Sequence, residues 1–408
     1  MTINYLKNIA ILFLLFSIFS CEKSAPRVED DAPNNTVIPE EVPGVVIAHV
    51  PAEKRYYIGS PSIVKMPNGD LIASNDFFGP SAEARPNGQS YTRIYRSTDQ
   101  GNSWSTIANL SGQFMSGLFL HQGDLYIMGV SGGYDNGNHV VIRKSVDNGT
   151  VWSVPSMSTN GRLLSGKYHT APTPVVEYKD RIWRAMEDAY GPTNVFAKQY
   201  RALMLSAPVD SDLLDAANWT VSNPLEHDAS YLNGYFWGWL EGNAVVSPSG
   251  DLLNILRVHT FSQNRELAAH VKVSPDGTLA TFNPTDGFVD MPGSMKKFTI
   301  RYDAASNTYW TLANYVPDAY HNIRPLDKVR NTLALCSSAD LKTWHIHATI
   351  IHHPDMDSHG YQYVDWQFDG SDIIAVSRTA HDDDAGGAAN YHDANYLTFH
   401  RIVGFRGL

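Results

Sequence analysis

Polar or ionisable side chains follow six apolar strand-like segments along the chain. They are Asn75 and Asp76, Ser131, Glu187 and Asp188, Arg257 and His259, Asn314 and Tyr315, and Arg378 and His381. In a closed ring of strands such ends converge on one axial pocket, which is the usual position of a ligand site. Arginine suits a carboxylate ligand, and histidine or tyrosine can transfer protons when their surroundings tune them. The pattern therefore predicts an acid–base site that accepts an anionic ligand.

Aromatic segments flank these candidates. GKYHTAP places His169 beside Tyr168, and YLNGYFWGWLEGN contains Tyr231 and Tyr235 together with two tryptophans and Glu241. HGYQYVDW and AHDDDAGGAANYHDANY precede and follow the last apolar segment. Clustered tryptophan and tyrosine rings stack on sugar rings, although they also fill the cores of β-proteins. Carbohydrate contact is the preferred interpretation of this group.

One of these segments also contains a set of metal-ligand residue types. The set is His381, Asp382, Asp383, Asp384, His392 and Asp393. It lacks the fixed spacing of a known metal site, so a solvated acidic loop is the preferred interpretation. We therefore predict no required cofactor, with a structural metal ion as the alternative.

A repeated turn indicates the architecture that positions these residues. The pattern Ser-x-Asp-x-Gly-x-x-Trp occurs in RSTDQGNSW (from Arg96) and again in KSVDNGTVW (from Lys144). Six units share a strand, a tight polar turn, a strongly apolar strand and a later Ser-x-Asp-like turn, with a period of roughly 50 to 60 residues. This predicts an all-β fold, a β-propeller of six four-stranded blades, with the apolar strands innermost. A seventh blade completed by residues 45–58 is the alternative.

The N-terminus has the composition of a secretory signal. Lys7 precedes the apolar run Ile9–Ser20, which ends at Cys21 as in bacterial lipoproteins. We predict a signal peptide at 1–20, a flexible tether at 21–45 and a catalytic propeller at 46–408. Lipidation of Cys21 would anchor the protein to the outer membrane, on its periplasmic or surface face, and would leave Cys336 without a disulfide partner.

The charge distribution limits the partners. The net charge is −11, and the lysines and arginines are scattered, which argues against a nucleic-acid partner. The predicted partner is an anionic glycan. Membrane contact is expected only through the lipid, and the protein is expected to be a monomer.

The repeated turn resembles the Asp-box, or BNR, repeat of sialidase-like propellers. Sialidases carry an Arg-Ile-Pro motif on the first blade, whose arginine is one of three that bind the sialic acid carboxylate, and they use a Tyr-Glu nucleophile pair. Gly59-Ser60-Pro61 stands in the matching place here. The resemblance therefore implies the fold, and the missing arginine argues against sialidase activity.

The chain as a whole resembles the propeller-fold ulvan lyases and rhamnose–glucuronate lyases of marine and gut bacteria. The resemblance rests on YIGSPSIVKMPNGDLIAS, YHTAP, RIWRAMED, WLEGNAVV, YQYVDWQFDG and HDANYLTFHRI. It implies His169, Tyr235 and Arg257 as the catalytic set, with His259 as the alternative to His169 and Tyr231 as the alternative to Tyr235. Substrate contacts are expected at Glu187, Tyr231, His259, His321, Arg378 and His381.

The residue inventory also favours β-elimination on a uronic acid. That reaction needs a group that neutralises the carboxylate, a base and an acid, whereas hydrolysis needs two suitably spaced carboxylates. Three alternatives remain open. They are an oligosaccharide dehydratase, a sialidase-like glycoside hydrolase that uses Glu187 with Asp76 or Asp365, and a glycan-binding lipoprotein without activity.

Overall fold

The computed structural model describes residues 41–132, 138–260 and 265–408. Within these ranges, 27 strands form six antiparallel sheets of four or five strands. Each sheet is one blade, and the innermost strand of the first blade contacts those of the second and sixth. The prediction of an all-β, six-bladed propeller is confirmed.

The strands follow one another blade by blade. The first blade contains β2 (Tyr57–Ile58), β3 (Ser62–Lys65), β4 (Leu71–Phe78), β5 (Tyr91–Ser97) and β6 (Ser105–Ser111). The second contains β7 (Phe114–His121), β8 (Asp124–Val130), β9 (Val140–Lys144) and β10 (Arg162–Leu164). The third contains β11 (Tyr168–His169), β12 (Val176–Tyr178), β13 (Arg181–Asp188), β14 (Arg201–Pro208) and β15 (Thr220–Val221). The fourth blade contains β16 (Phe236–Val246), β17 (Leu252–Thr260), β18 (Leu267–Val273), β19 (Ala280–Thr281) and β20 (Phe288–Asp290). The fifth contains β21 (Thr299–Asp303), β22 (Thr308–Ala313), β23 (Thr332–Ser338) and β24 (His345–His352). The sixth contains β25 (Gly360–Asp369), β26 (Asp372–Ala380), β27 (Tyr396–Ile402) and the N-terminal strand β1 (Val45–His49).

Helical structure in the described residues is limited to short 3-10 segments. They are Ala52–Lys54, Ala82–Ala84, Pro86–Gly88, Ala216–Asn218, Tyr231–Gly234, Asp318–Tyr320, Leu326–Lys328 and Phe405–Gly407. None of these helices has the length and apolar character needed to cross a bilayer. The predicted signal peptide, the Cys21 lipidation site and most of the predicted tether lie outside the described residues.

The ring closes by pairing the N-terminal strand with the end of the chain. β1 (Val45–His49) runs antiparallel to β27 and forms the outer strand of the sixth blade. Tyr57–Ile58 pairs with β4 and belongs to the first blade. Residues 45–58 therefore complete two existing blades, and the alternative of a seventh blade is wrong.

The predicted identity of the innermost strands is also wrong. β4, β8, β13, β17, β22 and β26, which follow the tight turns, are the second strands of their blades. The innermost strands precede the turns, and they are linked around the axis by buried polar side chains. Ser62 donates its hydroxyl proton to Asp365 at 2.7 Å and accepts from Leu118 N at 2.9 Å, so three blades meet at one serine.

The Ser-x-Asp turns have a mechanical role at the blade periphery. Asp99 accepts from Ser103 N at 2.9 Å, and Trp104 Nε1 donates to Gly101 O at 3.1 Å. The second copy repeats both bonds, from Val151 N to Asp147 at 2.6 Å and from Trp152 Nε1 to Gly149 O at 2.8 Å. The aspartate thus closes the turn while the tryptophan covers it.

A third turn of this kind gives a stability prediction. Asp340 accepts from Lys342 N at 2.8 Å and Thr343 N at 2.7 Å. We expect Asp340→Ala to lower the free energy of unfolding by about 1 kcal/mol, because it leaves those amides without their acceptor. Urea denaturation would measure this loss. Lys342→Ala, at an exposed neighbour, should change stability little; an equal loss in both variants would contradict a role for the carboxylate.

Candidate active site

Three innermost strands carry a bulge near the face of the propeller at which the second strands end, here called the site face. The bulges interrupt the register between Phe114 and Gly117, between Leu240 and Asn243, and between Gln362 and Asp365. The extra residues Met115, Glu241 and Tyr363 have left-handed φ values of 49°, 56° and 57°. A non-glycine residue in this region is uncommon and costs free energy. Such bulges re-aim side chains next to active sites.

The bulges of the fourth and sixth blades bring Glu241 and Tyr363 together. Tyr363 donates its hydroxyl proton to Glu241 Oε1 at 2.8 Å, and Arg257 Nη1 donates to Glu241 Oε2 at 2.9 Å. Glu241 and Arg257 are buried, while Tyr363 is partly exposed. The result is a phenol in contact with a carboxylate that an arginine holds in place.

The electrostatics keep this carboxylate ionised. Burial raises the pKa of Glu241, but the Arg257 charge, the neighbouring His169 and the hydrogen bonds from Arg257 and Tyr363 together hold the pKa below its usual range. Burial and the Glu241 charge raise the pKa of the Tyr363 hydroxyl, despite the nearby arginines. At neutral pH the pair is therefore a carboxylate acceptor and a protonated phenol, the arrangement of a base poised on a nucleophile.

Two further arginines lie around the Tyr363 ring. The guanidinium of Arg378 is 4.9 Å from the ring centroid, and that of Arg330 is 6.0 Å away. Neutral acceptors hold both: Arg330 donates to Gln362 Oε1, and Arg378 Nε donates to His392 O at 3.1 Å. Within the described ranges neither arginine forms an ion pair with a carboxylate. Buried cations without anionic partners favour an anionic ligand.

Arg378 also reaches the first blade. Its guanidinium lies 4.5 Å from the ring centroid of Phe78, at the end of β4. Burial lowers the pKa of Arg378 to about 10, so the side chain stays charged at neutral pH. The Arg378 guanidinium of the sixth blade therefore lies beside the first blade, in which Gly59-Ser60-Pro61 stands in place of Arg-Ile-Pro.

A buried lysine supports the Tyr363 bulge from below. Lys297 Nζ donates to Val364 O at 2.8 Å and to Tyr363 O at 3.4 Å. Burial lowers the pKa of Lys297 to about 8. Lys297 thus pairs carbonyls at the bulge, which helps to hold the strained backbone of Tyr363 in one conformation.

A second carboxylate lies beside Glu241. Glu187 accepts from Gly242 N at 3.1 Å through Oε1, and its Oε2 lies 3.1 Å from His169 Nδ1. The Glu187 side chain is completely buried, and His169 stacks on Tyr200 with ring centroids 4.4 Å apart. The predicted residues His169, Glu187, Arg257 and Arg378 are therefore part of one axial site.

Other predicted residues lie outside the contacts described above. Tyr235 is 45% exposed at the end of a 3-10 segment, and Tyr231 packs against Phe236 in an aromatic cluster. His259 lies in β17 two positions after Arg257, and burial and Arg257 lower its pKa to about 4. His321 lies in the loop after β22, with its Nε2 3.2 Å from Val316 O.

The proposed metal ligands are divided among separate interactions. His381 lies against His359 with ring centroids 4.8 Å apart, and Asp383 pairs with His49 at 2.8 Å. Asp393 pairs with His392 at 2.8 Å. In the described part of the chain, no group of three or more histidine, cysteine or acidic residues is placed to hold a metal ion.

Asp76 and Asp365, the predicted partners of Glu187, are structural. Asp76 accepts from Ser60 N at 2.7 Å and from Met115 N at 2.5 Å, which ties the first blade to the bulge of the second. Burial raises the pKa of Asp76 to about 6. Asp365 is bonded to Ser62 and to Ile63 N. The residue that lies beside Glu187 is Glu241, which the sequence pattern marked only as part of an aromatic segment.

Solved structures of similar fold include carbohydrate-active enzymes. The α-L-arabinanase of Penicillium chrysogenum, complexed with arabinobiose, is 15% identical, with 90% of this chain and 99% of that chain covered and a TM-score of 0.54. The α-L-arabinofuranosidase Arb93A of Fusarium graminearum is 13% identical, with 88% and 97% covered and a TM-score of 0.55. The sialidase of Trypanosoma rangeli, complexed with sialic acid, is 13% identical, with 94% and 59% covered and a TM-score of 0.53.

This likeness shows the fold alone. No family model matches the chain, and no curated protein matches it. The predicted β-elimination is nevertheless wrong, because these neighbours are glycoside hydrolases and sialidases rather than lyases. The local geometry agrees with this correction, since Arg257 is engaged by Glu241, away from the exposed Tyr235.

Proposed function

We propose that this protein is a sialidase-like glycoside hydrolase that acts on a glycoside whose anomeric carbon bears a carboxylate. The observation that carries the proposal is the 2.8 Å hydrogen bond from the Tyr363 hydroxyl to Glu241, amid Arg257, Arg330 and Arg378. The propeller folds of sialidases and arabinanases support a glycan substrate.

A tyrosine nucleophile suits such a substrate. A carboxylate nucleophile would be repelled by a carboxylate on the reacting carbon, whereas a neutral phenol is not. Sialidases are the glycosidases that use tyrosine in this way. Glu241 takes the hydroxyl proton as the Tyr363 oxygen bonds to the anomeric carbon; the bond to the leaving oxygen breaks, and that oxygen takes a proton from a solvent water. A second water then cleaves the glycosyl-tyrosine bond: its hydroxyl stays on the anomeric carbon, its proton replaces the one taken from solvent, and Glu241 returns the first proton to the Tyr363 oxygen.

The arginines divide the remaining work. Arg330 and Arg378, which have no anionic partner among the described residues, are the proposed binders of the substrate carboxylate. Arg257 pairs with Glu241 and keeps that base ionised and oriented. Arg378 supplies, from the sixth blade, the cation that the Gly59-Ser60-Pro61 segment does not provide.

The experiment that tests this function is covalent trapping. A fluorinated 2-keto sugar acid with a good leaving group should leave a glycosyl adduct on Tyr363, detected by intact-protein mass and peptide mapping. A fluorogenic α-sialoside and a fluorogenic α-L-arabinofuranoside should be assayed in parallel. An adduct on a carboxylate, or turnover of the neutral glycoside alone, would contradict the proposal.

A second candidate function is an arabinanase-like hydrolase that uses two carboxylates. The favouring observation is that Glu187 binds the backbone amide next to Glu241. In that mechanism one residue would be the nucleophile and the other the acid–base catalyst.

Glu187→Gln distinguishes the two candidates. In the tyrosine mechanism Glu187 only orients His169 and the bulge, so we expect kcat to fall by about tenfold or less. In the two-carboxylate mechanism the loss should be about a thousandfold or more, with rescue by azide. Steady-state kinetics on both fluorogenic glycosides would measure the difference. His169→Gln is the matched control, because it removes the other half of the same contact.

A further inference from the structure

A pocket of about 560 Å³ lies between the fourth and fifth blades, near the face of the propeller opposite the site face. The fourth blade forms one wall with the turn before β17, two residues of β18 and the segment between β19 and β20. The Ser-x-Asp turn of the fifth blade, at 340–342, forms the other wall. β17 runs from this pocket toward the site face, and Arg257 lies near its far end. The pocket is therefore separate from the axial site.

The charged side chains of the pocket are nearly balanced. Its described lining contains three aspartates and two lysines. Lys272 Nζ lies 3.5 Å from Asp251 Oδ2, and the amides of its own turn hold the Asp340 carboxylate. The exposed pair Lys342 and Asp286 again has opposite signs. This balance contrasts with the arginines of the axial site, and it favours an uncharged ligand over an anionic one.

His270 is a polar group that the pocket leaves unmatched. Its side chain is partly buried on β18, and among the described residues neither ring nitrogen has a hydrogen-bond partner. Burial and the charge of Lys342 lower the pKa of His270 to about 4, so the ring is neutral at neutral pH. A neutral imidazole presents one donor and one acceptor, which two neighbouring sugar hydroxyls can satisfy. A ligand rich in hydroxyls would therefore complete this group.

Phe282 supplies the aromatic surface of the pocket. Its ring is partly buried and packs against Trp239 and Phe288, with ring centroids 5.3 and 4.8 Å apart. The loop that follows is closed by a hydrogen bond from Gly287 N to Asn283 O at 2.8 Å. A ring that is already held in place loses little conformational freedom when a sugar ring stacks on it.

We propose that this pocket is a second, non-catalytic carbohydrate site, which binds an uncharged sugar unit of an oligosaccharide. Phe282 stacks on the sugar ring, while His270 and the exposed carboxylate of Asp286 bind its hydroxyls. The site goes beyond the proposed function because it does not involve Tyr363 and takes a neutral ligand. It would hold a glycan on the protein at a distance from the axial site.

Calorimetric titration of the full protein tests the pocket. The neutral probes are arabinotetraose, xylotetraose and galactotetraose, and trigalacturonic acid is the anionic comparison. We expect at least one neutral probe to bind, and His270→Leu should weaken that binding by about tenfold or more, because it removes both ring nitrogens. Asp286→Ala changes an exposed side chain and should weaken the same probe several-fold.

His345→Leu is the matched control, because His345 is exposed on β24 outside the pocket. It should bind the neutral probe like the unaltered protein. An unchanged melting temperature shows that His270→Leu is folded; if that variant is destabilised, Asp286→Ala becomes the deciding variant.

The proposal is overturned if no neutral probe binds the unaltered protein or if the deciding variant binds with unchanged affinity. It is also overturned if the deciding variant weakens binding of trigalacturonic acid as much as binding of the neutral probe. Turnover of a fluorogenic sialoside reports on the axial site alone, so a failure of the proposed function and a failure of this proposal are distinguishable.

Discussion

Tyr363→Phe is expected to lower kcat on a fluorogenic sialoside by about a thousandfold or more, because it removes the nucleophile itself. The change deletes one oxygen, whose partner is Glu241 Oε1. The ring contacts with Arg330 and Arg378 persist, so KM should change little. Steady-state kinetics would measure the loss of kcat. Intact-protein mass after exposure to the fluorinated sugar acid would show that the variant no longer forms the covalent adduct.

Tyr309→Phe is the matched control for this variant. Its hydroxyl donates to Val246 O at 2.7 Å, at the opposite end of the inner strands. It should lose about 1 kcal/mol of stability and retain its kcat. If Tyr363→Phe kept a tenth or more of the activity, the tyrosine mechanism would be wrong, and the Glu187–Glu241 pair would become the catalytic candidate.

The blades were predictable from sequence because each is built from local signals. Apolar runs bounded by Asn-Gly, Ser-Gly or Asp-Gly turns predict hairpins, and the Ser-x-Asp turns mark the outer strands. The order within a blade was not predictable in the same way. The second strand, such as β4 or β17, is buried on both faces and both edges, so it is the most apolar. The innermost strand has polar residues such as Ser62 and Asp365 and therefore resembles a connecting segment.

Only part of the candidate site was predictable from sequence, because some of its residues lie in regular strands and others in bulges. Arg257 and Arg378 lie near the ends of regular strands, where a charge after an apolar run is conspicuous. Glu241 and Tyr363 occupy bulges, which shift the alternation by one residue and hide the direction of the side chain. Arg330 precedes β23 without any local pattern. Its role depends on the packing of the fifth blade against the innermost strand of the sixth.

Arg378→Gln is expected to lower kcat/KM on the sialoside by about a hundredfold, mainly through KM. The variant keeps a polar side chain that can donate hydrogen bonds, although a shorter one, and loses the cation beside Tyr363. A charge-assisted bond to a carboxylate is stronger than a bond to a neutral group. The same variant should therefore lose much less activity on the carboxamide analogue of the substrate, for which the unaltered protein is already weak.

Comparing the effect of Arg378→Gln on the carboxylate substrate and on its amide shows whether Arg378 recognises the substrate charge or only packs against its neighbours. If Arg378→Gln lowered kcat/KM equally on the carboxylate and on its amide, Arg378 would act by supporting Phe78 and the His392 carbonyl. Arg406→Gln is the control for a missing guanidinium, because Arg406 pairs with Asp303 at the end of β21, away from the site face. Arg406→Gln should leave kcat/KM unchanged both on the carboxylate substrate and on its carboxamide analogue. Arg330→Gln should repeat the Arg378 result, since a carboxylate held between the two arginines needs both of them to stay beside the Tyr363 oxygen.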